Sequence, residues 1–142
     1  MKEIDSYSYK CGAADCFCEM VRAGVKNIAL SHPCDSKEEN DSFIEYMEVL
    51  KKEYGVGYYM EEKPLITDLF PVSLNLNRYN IIFYYNEKYL QEYLQIKKDK
   101  ETYLKEGIYD EKRTELAIRY GKLLSYSDEG IERLLKNNTE KE

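Results

Sequence analysis

Apolar residues first fall into a helical rhythm between Ala13 and Ala23, where Phe17, Met20 and Val21 share one face at i, i+3 and i+4 spacing. Ahead of them Ile4, Tyr7 and Tyr9 alternate loosely with polar neighbours, which predicts a short strand over residues 4 to 9, broken at Cys11-Gly12. Gly24 is a natural left-handed stop for the helix. Val25-Lys26-Asn27-Ile28-Ala29-Leu30 is a short apolar run of the buried-strand kind. Ser31-His32-Pro33 ends it, because proline restricts the residue before it and cannot extend a ladder.

Ser36-Lys37-Glu38-Glu39 fits the capping box, in which the serine hydroxyl accepts from the amide three residues on and the glutamate carboxylate reaches back. Phe43, Ile44, Met47, Leu50 and Tyr54 then mark one helical face that Gly55 closes. Val56 to Met60 reads as a strand, Leu65 to Phe70 as a short strand or extended loop, and Val72 to Asn77 as irregular chain. The run Arg78 to Tyr85 is the richest in β-branched and aromatic residues and predicts a central strand.

Beyond it the period returns to that of helices. Asn86 caps a helix with Leu90, Tyr93, Leu94 and Ile96 on its apolar side, weakly amphipathic from there to Glu106 and stopped at Gly107. Asp110 and Ser127 are the expected caps of two more, carrying Leu116, Tyr120, Leu123 and Leu124, then Ile131, Leu134 and Leu135. Residues 137 to 142 are expected to fray. Strand and helix alternating through the first sixty residues predicts an α/β fold: a small three-layer domain with a mostly parallel sheet of 3–5 strands and a helical C-terminal third. If residues 4 to 9 are not a strand, the better description is α+β.

Composition narrows the class. With 142 residues, 43% of them hydrophobic and 34% charged, the chain is expected to form a single domain spanning 1–142. No apolar run approaches the ~20 residues needed to cross a bilayer, and Met1-Lys2-Glu3-Ile4-Asp5 carries no signal-peptide core, so no membrane partner and a cytoplasmic location are expected. The 27 acidic residues outnumber the 21 basic ones for a net charge of -6, which argues against a nucleic-acid partner. Fifteen tyrosines and no tryptophan make the chain tyrosine-rich. Tyrosine in excess suits a ligand pocket, a protein partner or a homo-oligomer interface, although compositional drift accounts for most of it.

Candidate chemistry gathers near the N-terminus, at Cys11, Cys16, Cys18, His32 and Cys34. The spacing lacks the Cys-x2-4-Cys knuckle of structural zinc sites, and Cys16 and Cys18 point different ways on a helix, so no metal is assigned. A chain without an export signal keeps its thiols reduced. In a parallel sheet the loops after the strands gather at one edge and bind ligands there. Those loops would bring Cys11, just ahead of a helix N-terminus, near His32, with Asp35 or Asp15 to orient the imidazole: a nucleophile, a base and an orienter.

Gly12 in the same turn suits an anion held by backbone amides. Asp15, Ser36, Tyr84 and Tyr85 complete the expected ligand-binding set. Neither G-x-G-x-x-G nor G-x-x-x-x-G-K-[ST] occurs, so no nucleotide cofactor is indicated and the cofactor stays unknown. The leading expectation is a non-catalytic domain that binds a small molecule or a protein partner at the loops after its strands. The alternatives are a cysteine-dependent hydrolase or transferase using Cys11 and His32, and an acidic phage or mobile-element effector that inhibits a host protein.

Overall fold

The run Asn80–Tyr84 is buried along most of its length, as its β-branched and aromatic side chains require, and takes the centre of a three-stranded sheet in the computed structural model, which describes residues 1–142. In chain order the elements are α1 (Ser6–Arg22), β1 (Ile28–Leu30), α2 (Lys37–Asp41), α3 (Ile44–Tyr54), β2 (Gly57–Glu61), α4 (Val72–Asn75), β3 (Asn80–Tyr84), α5 (Glu87–Lys105), α6 (Tyr109–Leu123) and α7 (Asp128–Asn137). The strand order is β1-β3-β2, and both pairings are antiparallel. The fold is therefore α+β, and the expected mostly parallel sheet does not form.

Two local causes account for that correction. Residues 4 to 9 are not a strand: the Asp5 carboxylate accepts from the Ser8 amide at 2.8 Å and starts α1 at Ser6, so the alternating tyrosines lie on the first helical turns. The second cause is the link from β2 to β3. A parallel pair needs a crossover that carries the chain back along the sheet. Residues 62 to 79 contain only the four-residue α4, so the chain turns at the end of β2 and re-enters beside it in the opposite direction. β1 and β2 consequently point the same way with β3 between them, a split arrangement whose open slot the central strand fills.

Helices cover both faces of this sheet. Ala29, Ile81 and Phe83 face α1 and α3 and pack with Cys18, Val21, Met47 and Leu50. Ile28 and Ile82 face the other way, toward Tyr93, Ile96, Leu116, Tyr120 and Leu124 of the C-terminal helices. The alternation along β3 thus sends successive residues into two separate apolar clusters. No helix is long and apolar enough to cross a membrane.

The stop and cap residues act as their chemistry dictates. Gly24, Gly55 and Gly107 all hold positive φ at helix ends, and Ser36, Asn86 and Ser127 each accept from a first-turn amide. The capping box is shifted at its second half, since Glu39 accepts from the Asp35 amide at 3.4 Å and also pairs with Lys10. The helix expected from 37 to 54 is divided at Ser42-Phe43 into α2 and α3. Asp110 lies inside the first turn of α6, not at its cap. Residues 72 to 75, expected to be irregular, form α4.

Candidate functional site

Because α1 begins at Ser6, Cys11 lies within the helix, not in a turn ahead of it. Its side chain joins the apolar cluster beneath α1, where burial pushes the thiol up, opposed in part by a hydrogen bond with the Tyr7 hydroxyl. Gly12 is an exposed helical residue whose amide is directed along the helix. Asp15, one turn further on, accepts a hydrogen bond from the Tyr54 hydroxyl and so ties α1 to α3.

His32 sits exposed on the loop after β1, its ring centroid 5.7 Å from that of Tyr9. The thiol sharing a crevice with His32 is that of Cys34, and Cys11 is not part of its wall. This crevice holds about 10 Å³, room for about one water molecule. Burial raises the Cys34 thiol as well. Asp35 is exposed and faces Arg78 at 3.6 Å, while Ser36 spends its hydroxyl on the Glu39 amide at 3.1 Å. The structure thus gathers His32, Cys34, Asp35 and Ser36 along one loop and leaves Cys11, Gly12 and Asp15 on α1. No three His, Cys, Asp or Glu side chains converge closely enough to hold a metal ion.

Tyr84 and Tyr85 stand at the other end of the sheet. Tyr84 pairs with Ile28 and Gly57, the first residues of β1 and β2, and its ring lies so close to Gly57 that a Cβ there would meet it at 2.4 Å. Tyr85 is exposed and carries the Arg22 guanidinium 4.4 Å above its ring. The last residues of β1 and β2, and the loops that follow them, lie at the opposite end with Tyr79 and Arg78. The loops that follow β1 and β2 therefore do share an edge. They share it because β3 runs against both neighbours, not because the sheet is parallel.

At that edge the wide turn from β2 to β3 leaves a cleft of about 450 Å³, within the usual range for small-molecule sites of roughly 300–1,000 Å³. Its back wall is a stripe of α5, Lys97, Lys100, Glu101 and Leu104, which recur at i, i+3, i+4 and i+7. Each lysine is held in place. Lys97 donates to the Glu61 carboxylate at 2.7 Å and to the Lys63 carbonyl at 2.8 Å, and Lys100 donates to the Ile66 carbonyl at 2.7 Å.

The front wall comes from residues 75 to 79. Asn77 turns the chain with φ 58, a left-handed conformation that asparagine tolerates better than most residues. Leu76 beside it is 51% exposed, as Leu104 is at 55% across the cleft, so the mouth has an apolar lip on both sides. Asn75, 5% exposed, also lines the cleft. A side-chain amide at a cleft wall offers a ligand both a donor and an acceptor.

The last residues reach the same place. Asn138 donates through its amide to the carbonyls of Asp68 and Phe70 at 2.9 and 3.1 Å, and the Val72 amide donates to the Glu140 carbonyl at 3.0 Å. From there Glu142 sets its carboxylate 2.5 Å from Lys100, while its main-chain oxygen accepts from Arg113. Arg113 is itself fixed by a two-pronged contact with buried Asp68, at 2.8 and 2.9 Å.

None of the cleft residues is in the set expected from sequence. Lys97 reads along the chain as one of a short basic pair beside Asp99, and Asn75 as part of an irregular stretch. The available signal was the polar stripe at 97, 100 and 101, which continues a helix whose other side is apolar. Comparison with protein-family models, curated proteins and solved structures finds no match.

Proposed function

We propose that this chain is a non-catalytic binding domain and that its site is the cleft between residues 62–66, residues 75–79 and the Lys97 to Leu104 stripe of α5. The observation that carries the reading is the cleft itself, about 450 Å³ in volume, with Lys97 and Lys100 fixed along one wall and Asn75 on the other. The surroundings support it: fixed ammonium groups on one wall, apolar side chains at the lip, and walls held by buried and partly buried hydrogen bonds.

This reading keeps the expectation that a ligand sits at the loops following the strands, and changes the residues that hold it. An amide-resolved NMR titration with a small-fragment library tests it. Fragments that bind move the amides of residues 62–66, 75–79 and 97–104 together, and Asn75→Ala abolishes binding of those bearing an amide or carboxylate. Hits that instead move only the loop 31–36, or an Asn75→Ala chain that binds as before, would overturn it.

A further inference from the structure

We infer that the cleft takes an organic carboxylate with a short apolar body, and that the side chain of Glu142 is an internal stand-in for its head group. The inference rests on the cleft being the binding site. Four basic and three acidic side chains line the cleft, and Glu142 is the acid delivered by the chain's last segment instead of by a wall. Its carboxylate meets the Lys100 ammonium, whose side chain is only 12% exposed.

A lysine ammonium so little exposed relies on protein acceptors for its N–H groups. The Ile66 carbonyl supplies one and Glu142 another. A ligand carboxylate placed at Lys100 would therefore take over the Glu142 contact. From there its apolar body would run between Leu76 and Leu104, with the Asn75 amide on the facing wall as a further polar contact. A neutral or cationic ligand would leave Lys100 with Glu142 and gain only the apolar lip. The tail contact and ligand binding are then mutually exclusive, a linkage that lowers apparent affinity by the share of molecules in which the tail is seated.

The test titrates hexanoate, 1-hexanol and hexylammonium into the full chain, reading the cleft amides by NMR, for the natural sequence, Glu142→Gln and Lys100→Gln. Glu142→Gln is expected to tighten hexanoate about threefold and to leave hexanol unchanged, the size of effect expected from releasing one partly exposed ion pair. Lys100→Gln is expected to remove the preference for hexanoate over hexanol. If Glu142→Gln changes hexanoate and hexanol equally, or neither, while both still move the cleft amides, the carboxylate assignment falls and the cleft survives as a neutral site. If no probe moves the cleft amides in any of the three proteins, the binding site itself falls, and this inference with it.

Discussion

Tyr93 on α5 donates its phenolic hydrogen to the carboxylate of Glu61, the last residue of β2, at 2.8 Å, and accepts at 3.1 Å from the Leu65 amide beyond it. One buried oxygen thus fixes both ends of the turn by which the chain leaves the sheet. Lys97, one helical turn after Tyr93, closes the set at 2.7 Å from the same Glu61 oxygen. The charge on the cleft wall is held in place by a group belonging to the core.

Lys97→Met tests that coupling. Glu61 is 2% exposed, and removing its cation leaves a buried carboxylate dependent on Tyr93 and the Lys63 amide. Breaking a buried pair from one side costs about 3 kcal/mol or more, reduced here to about 2 because Lys97 itself remains partly exposed. Urea unfolding should show that loss, and Glu61→Gln introduced into the Lys97→Met chain should recover part of it. Equal stability of the natural sequence and Lys97→Met would mean the pair contributes nothing net.

Gly121 marks where α7 crosses α6. A Cβ at that position would meet Ile131 side-chain carbons at 2.6 and 2.8 Å. Helix propensity by itself favours alanine by about 1 kcal/mol. The overlap should outweigh it, so that Gly121→Ala destabilises the fold by about 1–3 kcal/mol. In an Ile131→Ala background the same change should become neutral or stabilising, and a double-mutant cycle by chemical denaturation reads the difference.

Thiol reactivity separates packing from catalysis. Burial raises the thiols of Cys11 and Cys34 and pushes that of Cys18 up to about 12, while Cys16 is exposed. Alkylation of the native chain at pH 8, followed by mass spectrometry, should label Cys16 first and leave the other three until unfolding. Rapid labelling of Cys11 would instead favour the alternative of a cysteine-dependent enzyme.

Acid stability has a local contributor in Asp99. Its hydrogen bond with Arg119 at 2.6 Å holds its carboxyl below the ordinary 3.8, with Gln95 helping. A folded value below the unfolded one means stability that is fully present above pH ~4 and lost as pH falls through the lowered value. The pair is partly exposed, so the amount is on the order of 0.5 kcal/mol. Arg119→Met should flatten that part of the acid limb in thermal melts between pH 5 and pH 2, and an unchanged limb would remove Asp99 from the account.

Much of this protein was decided locally and was therefore legible along the chain. Gly24, Gly55 and Gly107 stop helices because glycine alone takes positive φ without strain, and Ser36, Asn86 and Ser127 start them because a short side-chain oxygen reaches a first-turn amide. The run at 80–84 became the central strand because only a position covered on both sides satisfies such a sequence. What the chain did not disclose depends on partners far along it. The alternation of Ile4, Tyr7 and Tyr9 suits a strand, yet Asp5 can cap a helix that buries Cys11 and Cys18 against Ala29 and Phe83, and that gain exists only in the folded core. Strand direction followed from the missing crossover between β2 and β3. The cleft followed from the same turn, since Lys97 and Lys100 become a wall only when Glu61 and Ile66 are brought across to hold them. Periodicity, caps and stops are short-range properties of the backbone, whereas a site made of residues thirty positions apart exists only after packing has chosen which surfaces meet.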